Sequence, residues 1–147
     1  MNKSLWLLPL LLPLAGQVAA QSAGECPQLP ASTGLTWEHR GDANSNFCRA
    51  LRADGTEAFG LNISPKAPFK LVSGNRAERS TIDGREVTWY RSELATNPKV
   101  QARETLVPLP DGRVAHIWLQ AMSQDDLGKV YELTQGMSFQ STRLSSN

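Results

Sequence analysis

Four side chains in the last third of the chain are of types that commonly recognise a binding partner. They lie on two segments separated by a turn sequence, and they are Arg103, Thr105, His116 and Trp118. An arginine can lie over an indole ring, and hydroxyl and imidazole groups can exchange hydrogen bonds with a ligand. Because binding surfaces are enriched in Trp and Arg, we predict that these four residues form a partner-binding face.

The turn between the two segments determines how they would pair. Its sequence, Leu-Pro-Asp-Gly at 109–112, has Pro at the second position and Gly at the fourth, which fits a type I turn. With Pro108 opposite Arg113, the four candidate residues form two cross-strand pairs on one face. The other face then carries apolar side chains that suit a core, namely Ala102, Leu106, Ala115, Ile117, Leu119 and Ala121. Glu104 would also point to that apolar face, so a register shifted by one residue stays open.

A structural role for the same residues is the alternative to partner binding. In that interpretation the N-terminal segment covers Trp118, and Arg103 packs on the indole ring as an ordinary cation–π contact.

Sequence signatures of enzymes are missing from the chain. It contains no Gly-rich phosphate loop, no Gly-x-Ser-x-Gly, no His-Glu-x-x-His and no Cys-x-x-Cys. His39 and His116 are the only histidines, so a zinc site would need carboxylates from scattered strands. A Ser–His or Cys–His pair could still meet in space. We therefore expect no catalytic residue, no metal and no cofactor.

The first twenty residues have the layout of an export signal. Lys3 supplies the positive end, residues 5–15 are an apolar run, and Val18-Ala19-Ala20 places small residues before a cleavage site after Ala20. A transmembrane anchor is the alternative, but spanning a bilayer takes roughly 20 apolar residues. We predict a cleaved signal over 1–20, no stable membrane insertion after cleavage, and a periplasmic or secreted protein.

Charge and cysteine content agree with an exported protein that does not bind nucleic acid. Residues 21–147 carry 14 basic and 14 acidic side chains, without the basic excess that phosphate binding needs. Cys26 and Cys48 are the only cysteines, and in an oxidising compartment we expect them to form a disulfide. Such a bridge would stabilise the fold by roughly 3 kcal/mol. Two free buried thiols are the alternative.

Short strands separated by turns dominate the rest of the chain. Alternating apolar residues and Asp-Gly turns predict strands over residues 35–39, 47–52, 57–64, 77–82, 86–92, 100–108 and 113–121. One amphipathic helix is predicted to begin at Ser123, whose side chain would cap it. These elements predict a single α+β domain over 21–147, in which a curved, mainly antiparallel sheet of six or seven strands packs against one C-terminal helix.

The order of elements in about the last third of the chain matches a known kind of domain. A hairpin with a Pro-Asp-Gly turn leads to a capped amphipathic helix and a closing strand, and the matching positions are Gly112, Val114, Ile117, Leu119, Ser123, Leu127, Met137 and Phe139. This pattern resembles the end of PsbP-like domains, which are small exported α+β modules. The N-terminal half departs from that pattern. The resemblance implies an accessory factor of a membrane complex or an immunity protein that blocks a secreted hydrolase.

Two functions therefore remain open. We favour a non-catalytic envelope protein that engages a protein partner, either as an inhibitor or immunity-type protein or as an assembly accessory factor. The alternative is a small exported hydrolase or ligand carrier with a pocket between sheet and helix. A deep polar pocket holding His39 or His116 beside a serine or carboxylate would favour the alternative, and a filled interior would count against it.

Overall fold

The computed structural model describes residues 26–42, 44–92, 97 and 99–139. The predicted export signal and its cleavage site after Ala20 lie outside the described residues, as do parts of the predicted domain over 21–147.

Seven strands form one open antiparallel sheet. They are β1 (Thr36–Gly41), β2 (Asn46–Leu51), β3 (Glu57–Ser64), β4 (Arg76–Ile82), β5 (Arg85–Arg91), β6 (Gln101–Pro108) and β7 (Val114–Ala121). Their order across the sheet is β1-β2-β3-β7-β6-β5-β4, so β7 returns to the middle beside β3. A helix, α1 (Gln124–Gln135), follows β7, and single 3₁₀ turns span Ala31–Thr33 and Ser73–Asn75. The prediction of an α+β fold with one C-terminal helix on such a sheet is confirmed.

Turn chemistry explains where several of these elements begin and end. Between β4 and β5, Asp83 and Gly84 both have positive φ, 51° and 72°, as a two-residue hairpin of the primed type requires. At the start of α1, the Ser123 side chain accepts a hydrogen bond of 3.1 Å from the backbone N–H of Asp126. The predicted cap of the helix is therefore confirmed.

One face of the sheet, which we call the inner face, packs against α1. The largest fully buried side chains of this core include Trp89, Phe59, Leu61, Ile82, Ile117 and Leu119. The helix contributes Leu127, Val130, Tyr131 and Thr134. We call the opposite side of the sheet the outer face, and in the part of the chain that the structure describes it is covered by no helix longer than a single turn.

A disulfide joins Cys26 to Cys48, as predicted, and ties the N-terminal segment to β2. Two residues further on, Gln28 pairs with Ser138 through two backbone hydrogen bonds of 2.8 and 3.0 Å. The two ends of the described chain are thus fastened to each other and to the sheet. A disulfide in the fold is typical of proteins from an oxidising compartment. In the described part of the chain, no helix combines the length and the hydrophobicity that spanning a bilayer requires.

Candidate functional site

The hairpin formed by β6 and β7 is shifted by one residue from the predicted register. Pro108 lies opposite Val114 instead of Arg113. Successive strand residues point to opposite faces, so a shift of one residue moves every side chain of one strand to the other face. The prediction of one shared face is therefore wrong, because Arg103 and Thr105 point to the inner face while His116 and Trp118 point to the outer face.

Arg103 belongs to a buried ion pair beneath α1. Only 4% of the residue is exposed, and its Nε and Nη2 atoms donate to the two carboxylate oxygens of Glu78 at 2.7 and 2.9 Å. The Tyr131 hydroxyl donates to the same carboxylate at 2.9 Å. Hydrogen bonds from the Arg103 guanidinium lower the pKa of Glu78 from 4.5 to about 2, and burial raises the pKa of Tyr131. The pair holds β6, β4 and α1 together, which makes Arg103 a structural residue.

Thr105 is also part of the interior. It is 2% exposed, and its hydroxyl donates to the Thr88 backbone oxygen at 2.8 Å. Neither Arg103 nor Thr105 is available on the surface for a partner.

The outer face carries four aromatic rings in contact, which we call the aromatic surface. Successive ring centroids lie 5.5, 5.2 and 4.9 Å apart in the order Phe47, Trp118, His116 and Phe69. Strand β2 supplies the first ring, β7 supplies the middle two, and the connection between β3 and β4 supplies the last. All four residues are half-buried. The two outer residues of the original prediction therefore form the centre of a larger surface.

Trp118 lies flat across β3 because its cross-strand neighbour is Gly60. A Cβ atom at position 60 would lie 2.5 Å from the Cε2 and Cζ2 atoms of the indole, so only glycine leaves room for the ring. The indole Nε1 donates to Glu57 Oε1 at 3.2 Å, which fixes the direction of the ring.

Charged groups beside the aromatic surface are already paired. Arg49 donates to Glu57 at 2.7 Å and to Glu38 at 3.2 Å, and these carboxylates raise the pKa of Arg49. On the other side, His116 Nε2 lies 3.0 Å from Glu104 Oε2, with both side chains less than a fifth exposed. These contacts orient the rings, and the carboxylates of Glu57 and Glu38 balance the charge of Arg49 beside them.

The sequence analysis did not identify several residues of this site, although two of them have a sequence feature that points to a special position. Gly60 stands inside a predicted strand, where a glycine often marks the close approach of another group. Phe69 stands in a Pro-containing connection, where a large apolar side chain needs a surface to pack on. Phe47 and Glu104 carried no comparable signal, because their faces depend on the pairing of the strands.

The structure does not bring the two histidines together. His39 lies on the edge strand β1, where its Nε2 is 3.5 Å from Asn46 Oδ1. A groove of about 890 Å³ lies between α1 and the β2–β3 turn, and neither histidine lines it. Over the described ranges, no cluster of three or more His, Cys, Asp or Glu side chains could hold a metal ion.

Comparisons with protein-family models, with curated proteins and with solved structures found no match to this chain. The resemblance of the C-terminal third to PsbP-like domains therefore stays a prediction, and the site is interpreted from its own geometry.

Proposed function

We propose that the chain is an exported, non-catalytic protein of the cell envelope that engages a protein partner through its aromatic surface. One observation carries this proposal: four rings touch one another on the side of the sheet opposite α1. Aromatic side chains dominate the energy of protein interfaces, because they bury a large area and lose few rotamers on binding.

The way the rings are held supports a role in binding. Trp118 rests on the Gly60 backbone and donates to Glu57, while His116 is oriented by Glu104. Side chains already fixed in the free protein lose little conformational entropy when a partner arrives. A surface of this kind suits a protein that works by covering part of its partner.

The setting of the protein in the cell is part of the same proposal. The Cys26–Cys48 disulfide supports an oxidising compartment, and the N-terminal sequence favours export to the periplasm or the medium. The resemblance to PsbP-like proteins favours an inhibitor or immunity-type protein, or an accessory factor in assembly. Each of these roles requires a stable contact with another protein and no chemistry by this chain.

Site-specific photocrosslinking in cells that produce the protein tests the proposal. A photoreactive amino acid replaces Asn62, which pairs with Phe47 on one side and with His116 on the other. The control position is Lys129 on α1, whose side chain is 76% exposed. We expect an adduct of one discrete mass from position 62 and none from position 129. Trp118→Ala should remove that adduct.

Two outcomes would overturn the proposal. One is equal crosslinking from positions 62 and 129, and the other is an adduct that survives Trp118→Ala. Because Trp118 covers Gly60, Phe69→Ser serves as a milder second variant that removes a ring from the connection and leaves the strands intact.

One observation favours the alternative function. The His116–Glu104 pair lines a groove of about 400 Å³ together with Ser92, and a histidine oriented by a carboxylate is a common part of hydrolase sites. The groove lies on the outer face, however, whereas the space beneath α1 is filled by buried side chains such as Trp89 and Tyr131. Turnover of ester or peptide substrates, lost in His116→Gln, would favour the hydrolase.

A further inference from the structure

The connection between β3 and β4, residues 65–75, crosses the outer face of the sheet, and we call it the strap. In the sheet, β7, β6 and β5 lie between the two strands that it joins, so the chain passes over three strands. On the way, the Phe69 ring contacts the His116 ring on β7, and Leu71 lines a groove together with Leu106 on β6. The strap therefore carries one ring of the aromatic surface.

Few polar contacts hold the strap on the sheet. Near its ends, the Ser64 hydroxyl donates to the backbone oxygen of Lys66 at 2.8 Å, and the Asn75 N–H donates to the backbone oxygen of Val72 at 2.9 Å. Between these points, no hydrogen bond or ion pair joins residues 67–71 to another described residue. The backbone groups in the middle of the strap therefore have water as their partner.

Two side chains of the strap, Phe69 and Leu71, turn towards the sheet. Both are half-buried, whereas Lys70 between them and Val72 after them are exposed, so the side chains alternate between the sheet and solvent. Neither Phe69 nor Leu71 belongs to the hydrophobic core or packs against it. Grooves of about 400 and 200 Å³ run beside the strap, and Leu71 lines both, so the strap is loosely packed there.

The sheet is held together without the strap. At one end of the strap, Ser64 pairs with Val114 of β7, and at the other end Arg76 pairs with Tyr90 of β5. Both pairs belong to the sheet itself, so a movement of residues 67–71 breaks none of its hydrogen bonds. A segment with few hydrogen bonds and few buried apolar contacts opens at a lower free energy than the fold as a whole.

We propose that the strap opens and closes over the outer face while the sheet stays folded, and that the protein partner binds the closed form. In the closed form Phe69 rests on His116 and completes the aromatic surface. A partner that contacts all four rings has a higher affinity for this form and shifts the strap towards it. Its apparent affinity is then proportional to the fraction of closed molecules. This inference rests on the proposed function and adds a conformational step to it.

Opposite substitutions at Leu71 test whether the strap moves. Leu71→Ser removes one of the two side chains that hold the strap, whereas Leu71→Phe extends into the groove of about 200 Å³ and should keep the strap closed. The readout is the NMR signal of the His116 ring, because the Phe69 ring, with its centroid 4.9 Å away, shifts that signal. Phe69→Ala gives the position of the signal without the neighbouring ring.

We expect Leu71→Ser to move the His116 signal towards its position in Phe69→Ala, and Leu71→Phe to move it in the opposite direction. The matched control is Val72→Ser, which should leave the signal unchanged because Val72 is 61% exposed. Unchanged amide signals of α1 and β1 will show that each variant is folded. A His116 signal that is the same in the wild type and in both Leu71 variants would overturn the inference.

The same variants test which form the partner binds. In the photocrosslinking assay from position 62, Leu71→Ser should lower the yield of the adduct by about threefold or more, and Leu71→Phe should preserve or raise it. A higher yield in Leu71→Ser would contradict the inference, because the partner would then bind the open form and the strap would cover its site.

Two further outcomes distinguish a failure of this inference from a failure of the proposed function. If the adduct depends on Trp118 but its yield is equal in Leu71→Ser and Leu71→Phe, the proposed function stands and binding of the closed form is excluded. If position 62 gives no adduct while the His116 signal moves as expected, the proposed function fails and the motion of the strap stands.

Discussion

Replacing Glu78 by glutamine should destabilise the fold in a way that depends on pH. The Glu78 carboxylate accepts two hydrogen bonds from Arg103 and one from Tyr131, which links β4 to β6 and α1. A neutral amide in its place leaves the guanidinium of Arg103, which is 4% exposed, without a counter-charge. An unpaired charge in that position is costly, because it has lost most of its contact with water.

The size of the effect follows from the pKa of the carboxyl group. In the folded protein it is lowered from 4.5 to about 2, chiefly by the hydrogen bonds from Arg103. At about 1.4 kcal/mol per pKa unit, this shift corresponds to at most about 3.5 kcal/mol of stability. The Glu78 side chain is 36% exposed, and solvent screening reduces the expected loss in Glu78→Gln to about 2 kcal/mol at pH 7.

The sign of the pH dependence is determined by the direction of the shift. A carboxyl group with a lowered pKa stabilises the fold above its unfolded pKa, and that contribution is lost as the pH falls through the folded pKa. The difference in unfolding free energy between wild type and Glu78→Gln should therefore have its maximum value above pH about 5 and should decrease towards pH 2.

Urea unfolding of the oxidised protein between pH 7 and pH 2.5 or so measures this difference, with tryptophan fluorescence as the signal. Trp89 is fully buried and lies 5.1 Å from Tyr131, so it reports on this part of the core. The control is Glu86→Gln, which breaks an exposed pair with Arg79 and should cost less than about 0.5 kcal/mol. A destabilisation by Glu78→Gln that stays constant down to pH 3 or so would refute the reasoning, because it could not come from the lowered pKa.

Three other substitutions probe the disulfide, the contact of an indole with glycine, and the helix cap. Cys48→Ser should lower the free energy of unfolding by about 3 kcal/mol, and reducing the wild type should have the same effect; a reduced protein of unchanged stability would contradict it. Gly60→Ala should lower the free energy of unfolding by about 1 to 3 kcal/mol, because the new methyl group would overlap Trp118. In a double-mutant cycle, Gly60→Ala should destabilise the Trp118→Ala protein much less than it destabilises the wild type. Strictly additive changes in the free energy of unfolding would exclude the overlap as the cause. Ser123→Ala should lower the free energy of unfolding, measured by thermal denaturation, by about 1 kcal/mol. Ser123→Asp keeps an acceptor for the cap and should change the free energy of unfolding little.

Features that depend on neighbours in the chain could be predicted from the sequence. Asp-Gly pairs and the Pro-Asp-Gly turn marked the hairpins, since positive φ and a fixed proline φ are local properties. The helix start at Ser123 was predictable for the same reason, because the capping residue and the N–H group that it binds are three residues apart. The pairing of Cys26 with Cys48 followed from their number and the expected compartment.

The register of β6 with β7 could not be predicted in this way, and neither could the composition of the candidate site, which depends on it. Arg103 and Glu104 are adjacent, so one of the two charged side chains must point to the inner face, and a pattern of period two treats both choices alike. Their partners determine which of the two points inwards. On the inner face, Arg103 donates to Glu78 on β4, which also accepts from Tyr131 on α1. On the outer face, Glu104 contacts His116.

The elements, their turns, the helix cap and the disulfide could thus be predicted from the chain alone, because all of them rest on local geometry or on residue counts. The pairing of distant segments was needed to show which face each side chain of the β6–β7 hairpin occupies, and that Phe47 and Phe69 join Trp118 and His116 in one surface. A charged side chain can point inwards only where a distant segment supplies a counter-charge and hydrogen bonds, and the order of residues does not show which segments meet.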